Sequence, residues 1–176
     1  TPVWASGGVK ICDNTYTQLY PWIIPDGSGG AIIAWHDYRS TTDFDIYAQR
    51  IDARGDILWN YNGVLISGAS GDQEYVEMVP DGTGGAVMAW RDDRAGNIDI
   101  YAQRVGYDGN VMWTANGVPI CTAANAQEYL EIVTDRAGGA IIVWEDGRSG
   151  LDDIYAQRID ASGFVRWTID GLPLCT

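Results

Sequence analysis

The chain has 176 residues, a length that suits one domain with a core of its own. Its formal net charge is −13, and nucleic-acid binding requires cationic side chains that displace phosphate counterions, so we expect no nucleic-acid partner. No apolar run approaches the length of a membrane span, so we expect no membrane insertion.

A long unit is repeated three times along the chain. Its best-preserved part begins at Trp35, Trp90 and Trp144, which are 55 and 54 residues apart. We predict a single domain, 1–176, with repeats at approximately 17–70, 71–124 and 125–176. Residues 1–16 precede them and hold a surplus copy of the segment that ends each repeat, from Trp4 to Cys12. A period of this size indicates one supersecondary unit that is copied and packed against its neighbours.

The middle repeat shows the unit most clearly. It predicts strands over Gln73–Pro80, Ala86–Asp92 and Asp99–Val105, and a fourth strand that begins at Val111 and is interrupted at Asn116-Gly117. Asp-Gly and Asn-Gly pairs between short β-branched and aromatic runs are strong hairpin signals. No segment has a helical apolar period. The sequence therefore predicts an all-β protein built of four-stranded antiparallel meanders.

Part of this unit resembles a known family. The stretch Ala89-Trp90-Arg91-Asp92-Asp93-Arg94, followed by Asp99-Ile100-Tyr101, resembles the blade motif of TolB-type β-propellers. The longer unit, Asp-Ile-Tyr-Ala-Gln-Arg and then Trp-Thr-x-x-Gly-Val-x-Ile-Cys, is similar to tandem repeats of secreted and surface proteins of bacteria. The resemblance implies a propeller-like fold, with the first strand of each blade lining a central channel, and a secreted or cell-surface bacterial location.

The number of repeats leaves the closure of the fold open. We predict three four-stranded antiparallel repeats around a pseudo-threefold axis in a closed, β-propeller-like arrangement, although three is below the usual number of blades. The alternatives are a β-trefoil, half of a six-bladed propeller completed by a second chain as a homodimer, and a piece of a longer array. Closure would bring Cys12 and Cys175 near enough to form a disulfide; otherwise three free, buried thiols are expected.

Charged residues that recur in every repeat are expected to serve the scaffold. Aspartates and arginines flank the loop between the second and third strands, and we interpret them as side chains that bond loop backbone, with each arginine bridging carboxylates. They are Asp37, Asp92, Asp146, Arg39, Arg94 and Arg148, with Asp45, Asp99 and Asp153 at the loop ends. The rival interpretation is calcium ligation. We predict no cofactor and no metal site, with calcium as the alternative.

The sequence offers little catalytic chemistry. The single histidine, His36, occupies a position that holds Arg91 and Glu145 in the other repeats, which we interpret as a solvent-facing strand position without a catalytic role. Glu77 and Glu131 could form an acid/base pair for glycoside cleavage, but their equivalent in the first repeat is Trp22. We therefore predict no catalytic residue and no enzyme.

Binding is the remaining class of function. Exposed aromatic rings stack on sugars, and short polar side chains bond their hydroxyl groups. The first choice is a non-enzymatic extracellular interaction or structural module, whose partner would be a glycan or a cell-surface protein. The alternatives are a carbohydrate-binding module with one site per repeat and a polysaccharide-cleaving enzyme. The candidate binding residues are Gln18, Tyr20, Trp22, Gln73, Tyr75, Glu77, Gln127, Tyr129 and Glu131.

Overall fold

A computed structural model describes residues 6–175, so the predicted role of Trp4 lies outside the described residues. The described part forms twelve strands and no helix, and accordingly contains no helix that could cross a membrane. The strands are β1 (Gln18–Pro25), β2 (Ala31–Asp37), β3 (Asp45–Ile51), β4 (Val64–Ser67), β5 (Gln73–Pro80), β6 (Ala86–Asp92), β7 (Asp99–Val105), β8 (Val118–Cys121), β9 (Gln127–Thr134), β10 (Ala140–Asp146), β11 (Asp153–Ile159) and β12 (Leu172–Cys175).

The strands pair in chain order into three antiparallel sheets of four, β1–β4, β5–β8 and β9–β12, which are the first, second and third sheets. The predicted all-β class and four-stranded antiparallel repeats are confirmed. Because all strands pair within their own repeat in the described part, the β-trefoil alternative is excluded.

The fourth strand of each repeat is shorter than predicted, and a glutamine explains why. In the second sheet the side chain of Gln103 accepts the backbone N–H of Trp113 and donates to the carbonyl of Thr114. These backbone groups are thereby satisfied without a neighbouring strand. Val111 makes only an isolated bridge to Val105, and regular pairing begins at Val118.

A buried aspartate fixes the turn between the first two strands of each repeat. In the second sheet Asp81 accepts the backbone N–H groups of Thr83 and Gly85 at 2.7 and 2.9 Å, and also binds Arg104 at 2.7 Å. A side chain at Gly85 would place its Cβ 2.2 Å from the carbonyl oxygen of Val105, so only glycine fits. Asp26 with Arg50 and Asp135 with Arg158 repeat the ion pair.

At the other end of each sheet, a second buried aspartate and its arginine tie the second and third strands to the loop that precedes the fourth. Asp92 accepts the indole N–H of Trp90 at 2.8 Å and is held by two guanidinium nitrogens of Arg94. The same guanidinium lies over the ring of Tyr101, 3.8 Å from its centre, and donates to the carbonyl of Asn116. The first and third sheets repeat the arrangement around Asp37 and Asp146.

These contacts confirm the predicted scaffold role of the recurring aspartates and arginines, with one correction. Each arginine bridges a carboxylate to a backbone carbonyl, and not to the second carboxylate of the loop. Within residues 6–175 no group of three or more His, Cys, Asp or Glu side chains could hold a metal ion.

Apolar side chains join each sheet to its neighbours in sequence. We call the side of the second and third sheets that faces the preceding sheet the front face, and the opposite side the back face. In the first sheet the back face is the side that faces the second sheet, and the front face is the other side. One buried cluster joins the back face of the first sheet, including Ile24 and Ile66, to Met78 and Trp90 on the front face of the second. The next joins the back face of the second sheet to the front face of the third in the same way.

The sheets do not close into a ring, so the predicted closed three-repeat arrangement is wrong. Within residues 6–175 no buried cluster joins the third sheet to the first. The side chains that closure would cover stay exposed: Ile23 on the front face of the first sheet is 63 % exposed, and Leu174 on the back face of the third is 61 % exposed.

The surplus N-terminal segment packs on the front face of the first sheet. Ile11 and Cys12 contact the buried cluster of Ile33, Trp35 and Ile51. Cys12, Cys121 and Cys175 are free thiols, so the hypothesis of a disulfide between Cys12 and Cys175 is wrong. Not all of these thiols are buried, because Cys12 is half-buried and Cys175 is exposed.

Candidate active site

The first strand of every sheet contains a bulge at a tyrosine. In β1, β5 and β9 the strand register shifts at Tyr20, Tyr75 and Tyr129. These residues have φ angles of 49°, 53° and 50°, a left-handed conformation that costs a side-chain-bearing residue about 1–2 kcal/mol. A bulge re-aims the side chain it carries, and all three rings are exposed. Strain that recurs at exposed aromatic residues marks this surface as a candidate site.

Tyr20 and Tyr75 contact each other across the first sheet junction, and Arg91 connects Tyr75 to the third sheet. The rings of Tyr20 and Tyr75 stack with their centres 6.0 Å apart. The guanidinium of Arg91 lies 4.6 Å from the centre of the Tyr75 ring and forms an ion pair with Glu128 on the third sheet at 3.0 Å. An aromatic and charged strip therefore runs over the first strands of the three sheets.

Glu77 and Glu131 lie together between the second and third sheets. They line a cavity of about 300 Å³ with Tyr75, Tyr129 and Arg91, and Leu130 completes its lining. Burial raises the pKa of Glu77, the negative charge of Glu131 raises it further, and the backbone N–H of Ile132 opposes both by donating to the Glu77 carboxylate. Two neighbouring carboxyl groups, one of them held in its protonated form to higher pH, are suited to general acid catalysis.

A second cavity of about 310 Å³ lies between the first and second sheets. Its lining includes the rings of Tyr20, Trp22 and Tyr75 and the imidazole of His36, and Glu77 borders it as well. The two cavities therefore share Tyr75 and Glu77. Together the two cavities form an aromatic surface on one side of the carboxyl pair, on which an elongated ligand could lie.

His36 is buried, which corrects the prediction of a solvent-facing position. Its Nε2 accepts the backbone N–H of Tyr75 at 2.6 Å, and its ring contacts the rings of Tyr20 and Phe44. Burial lowers the pKa of His36 to about 4. The position faces the next sheet, so its exposure depends on which side chains lie across the junction.

The three glutamines predicted as ligand-binding residues are engaged elsewhere. Gln73 and Gln127 are fully buried, and their side-chain amides donate to backbone carbonyls of the preceding loops. Gln18 donates to the carbonyl of Tyr16 at 2.6 Å. The structure brings together the other predicted residues, Tyr20, Trp22, Tyr75, Glu77, Tyr129 and Glu131, in the two cavities.

Sequence reasoning missed His36 and Arg91 as members of this surface. Both occupy the variable position that holds Glu145 in the third repeat, and Trp22, Glu77 and Glu131 occupy a second variable position. The two positions meet at the sheet junctions. Scaffold positions keep the same residue in each copy, so positions that vary between copies indicate a functional surface. The sequence itself contains this signal.

Comparisons with known proteins give a distant likeness among solved structures. No family model matches the chain, and no curated protein matches it. Among solved structures, the chain is similar to the endo-arabinase from Bacteroides thetaiotaomicron VPI-5482, with a TM-score of 0.49 and 17 % identity over 93 % of this chain and 61 % of that chain. The chain thus spans about three fifths of the length of the structure it matches.

The prediction of a non-enzymatic module, and with it the prediction that the chain is not an enzyme, is corrected. The endo-arabinase to which the chain is distantly similar is an enzyme. In the chain itself, Glu77 and Glu131 share one cavity instead of standing apart as two unrelated surface glutamates.

Proposed function

We propose that this chain binds a polysaccharide across the first strands of its sheets and hydrolyses it at Glu77 and Glu131. The observation that carries the proposal is the shared cavity in which these two carboxyl groups lie beside Tyr75 and Tyr129. Aromatic rings beside a carboxyl pair are the groups that glycoside hydrolysis requires: faces that stack on sugar rings, an acid and a base.

Glu77 is the proposed general acid. Its raised pKa keeps the carboxyl group protonated to higher pH than that of an ordinary glutamic acid. Glu77 would donate this proton to the glycosidic oxygen as the bond between that oxygen and the anomeric carbon breaks. Glu131, the more exposed carboxylate, would take the proton of the water that attacks the anomeric carbon. The products are two shorter glycans, and proton exchange with solvent restores both groups.

The arrangement of the sheets supports the same proposal. We infer that the three sheets are consecutive blades of an open, propeller-like arc, in which the first strands are innermost. Two observations support this: within residues 6–175 each buried cluster between sheets joins neighbours in sequence, and Tyr75 stacks on Tyr20 and lines one cavity with Tyr129. We also infer a secreted or cell-surface location, because a polysaccharide substrate would be met there.

The test is release of reducing ends from a panel of neutral and acidic polysaccharides. We expect release by the wild-type chain and a loss of at least about 100-fold in Glu77→Gln and in Glu131→Gln. Glu145→Gln is the matched control, because Glu145 lines neither cavity and should leave the rate unchanged. Equal rates for the wild type and Glu77→Gln, or no release from any substrate, would overturn the proposal.

Glycan binding without cleavage is the second candidate. The observation that favours it is the exposed, strained tyrosine present once in each repeat, whereas the carboxyl pair occurs at one junction only. Affinity electrophoresis in polysaccharide gels distinguishes the two. Retarded migration of both the wild type and Glu77→Gln, with no reducing ends released by either, would establish binding alone.

A further inference from the structure

The back face of the third sheet is an apolar surface that no other sheet covers within residues 6–175. It consists of Val133, Ile141, Val143, Ile154 and Leu174. Val133, Ile154 and Leu174 are 58 %, 38 % and 61 % exposed. Their equivalents on the back face of the first sheet, Ile24, Ile46 and Ile66, are all buried. The difference does not come from the residue types, which stay aliphatic, but from the sheet that follows.

The chain itself shows what covers such a back face. In both internal junctions the cover is the front face of the next repeat, and polar contacts accompany the apolar ones. The indole N–H groups of Trp59 and Trp113 donate to turn carbonyls of the following sheet, at Tyr107 and Ala161. The equivalent Trp167 donates to none of the described residues. The back face of the third sheet is thus built for a front face of this same repeat type.

A front face that is only partly covered exists at the other end of the chain. Ile11 and Cys12 cover part of the front face of the first sheet, but Ile23 there is 63 % exposed. Its equivalent on the second sheet, Met78, is 3 % exposed under a complete sheet. In the repeat pattern Ile11 and Cys12 correspond to Leu174 and Cys175 of β12. The N-terminal segment therefore lies on the first sheet where, at the two internal junctions, the last strand of the preceding sheet lies on the next.

We propose that the back face of the third sheet binds the front face of the first sheet of a second copy of this chain. Leu174 and Cys175 of one copy would replace Ile11 and Cys12 of the other. The exchange costs little free energy because the apolar contacts that are lost are replaced by equivalent ones. The additional burial of Val133 and Ile154 against Ile23 favours association. Such contacts are head-to-tail and close into a ring or continue as a filament, depending on the rotation between copies.

The thiols support the proposed exchange. Cys12 lies 3.5 Å from a guanidinium nitrogen of Arg39, and Cys121 lies 3.1 Å from the corresponding nitrogen of Arg148. Ser67 lies 3.5 Å from the same nitrogen of Arg94, so Cys12, Ser67 and Cys121, which occupy one position of the repeat pattern, each have an arginine beside them. Cys175 occupies that position too, and within residues 6–175 no arginine is bonded to it. In the associated form Cys175 would lie beside Arg39 of the second copy.

The test is sedimentation velocity of the full chain from micromolar to millimolar concentration. We expect association of the wild type, and a dissociation constant raised at least about tenfold in Ile154→Asp, because a carboxylate would have to be desolvated at the junction. Leu174→Asp provides a second variant should the first fail to fold. Met112→Asp is the matched control, since Met112 is exposed in the segment between β7 and β8 and belongs to neither free face, and it should associate as the wild type does.

A variant of the N-terminal segment gives the opposite result. Ile11→Asp weakens the cover of the front face only in the unassociated chain, so it should strengthen association. Cys175 should react rapidly with a maleimide in dilute protein and slowly in associated protein. A wild type and an Ile11→Asp variant that both stay monomeric at every concentration would overturn the proposal, as would association that Ile154→Asp and Leu174→Asp leave unchanged. This proposal does not depend on the proposed enzymatic function.

Discussion

The backbone N–H of Tyr75 donates a hydrogen bond to Nε2 of His36, 2.6 Å away on the preceding sheet. The bond ties the strained bulge of β5 to β2 and requires an imidazole whose Nε2 carries no proton. Burial enforces this state by lowering the pKa of His36 to about 4. The one histidine of the chain therefore supports the candidate site by holding Tyr75 in place.

His36 should make the protein less stable in acid. The folded protein disfavours protonation of His36 while the unfolded chain accepts it near pH 6.5, so this stability is full above pH 6.5 and is lost as the pH falls to about 4. We expect His36→Gln, whose side-chain carbonyl can still accept the Tyr75 N–H, to lack this loss. The free energy of unfolding of His36→Gln, measured relative to that of the wild type, should therefore rise by about 2–3 kcal/mol from pH 7 to pH 4. Urea unfolding of both proteins at several pH values measures the difference, and parallel pH curves would contradict it.

Asp45 should have the opposite pH dependence. Burial, with smaller contributions from Asp43 and Asp37, raises its pKa to about 6. Its ionisation therefore destabilises the fold, and the stability present below pH 4 is lost as the pH rises to about 6. We expect Asp45→Asn to equal the wild type at pH 4 and to exceed it by about 2–3 kcal/mol above pH 6. The same substitution at the exposed turn residue Asp56 should change little at either pH. A variant with no gain above pH 6 would show that other contacts stabilise the ionised carboxylate.

Asp92 should be among the side chains on which stability depends most. Asp92→Ala leaves the indole N–H of Trp90 and the guanidinium of Arg94 without their carboxylate in a buried place. We expect a loss of about 3–5 kcal/mol in the free energy of unfolding. Glu128→Gln, which breaks the more exposed ion pair with Arg91, should cost less than about 1 kcal/mol. Thermal and urea unfolding compare the two, and similar losses would contradict the assignment of Asp92 as the centre of the scaffold.

Two substitutions should separate the backbone strain at Tyr129 from the contribution of its ring. Tyr129 is 70 % exposed at a φ of 50°, so its ring contributes little packing while its backbone is strained. We expect Tyr129→Gly to be more stable than Tyr129→Ala by about 1 kcal/mol, because glycine adopts this conformation without a steric penalty. Both variants should lose polysaccharide binding in affinity electrophoresis. Equal stability of the two variants would mean that the bulge is not strained, and unchanged binding would remove Tyr129 from the site.

Local chemistry made the strands predictable. The bounds of β5, β6 and β7 agree with the sequence prediction, because alternating apolar residues and Asp-Gly turns act over a few neighbouring positions. The interrupted fourth strand was only partly predicted, since its limit depends on the side chain of Gln103, ten residues earlier in the chain. Within the candidate site, Tyr75, Glu77, Tyr129 and Glu131 were named from the sequence, whereas Gln73, named with them, is buried beneath that surface.

The sequence by itself determined the class of fold, the repeat unit and the scaffold role of the recurring Asp and Arg pairs. Only the tertiary structure decided that the sheets stay open, that His36 is buried and that Glu77 meets Glu131. The reason is that the repeats have nearly the same apolar faces, so the equivalent positions Ile24 and Val133 both hold an aliphatic residue. Whether such a side chain is covered depends on the neighbouring sheet, and that is a property of the assembled molecule.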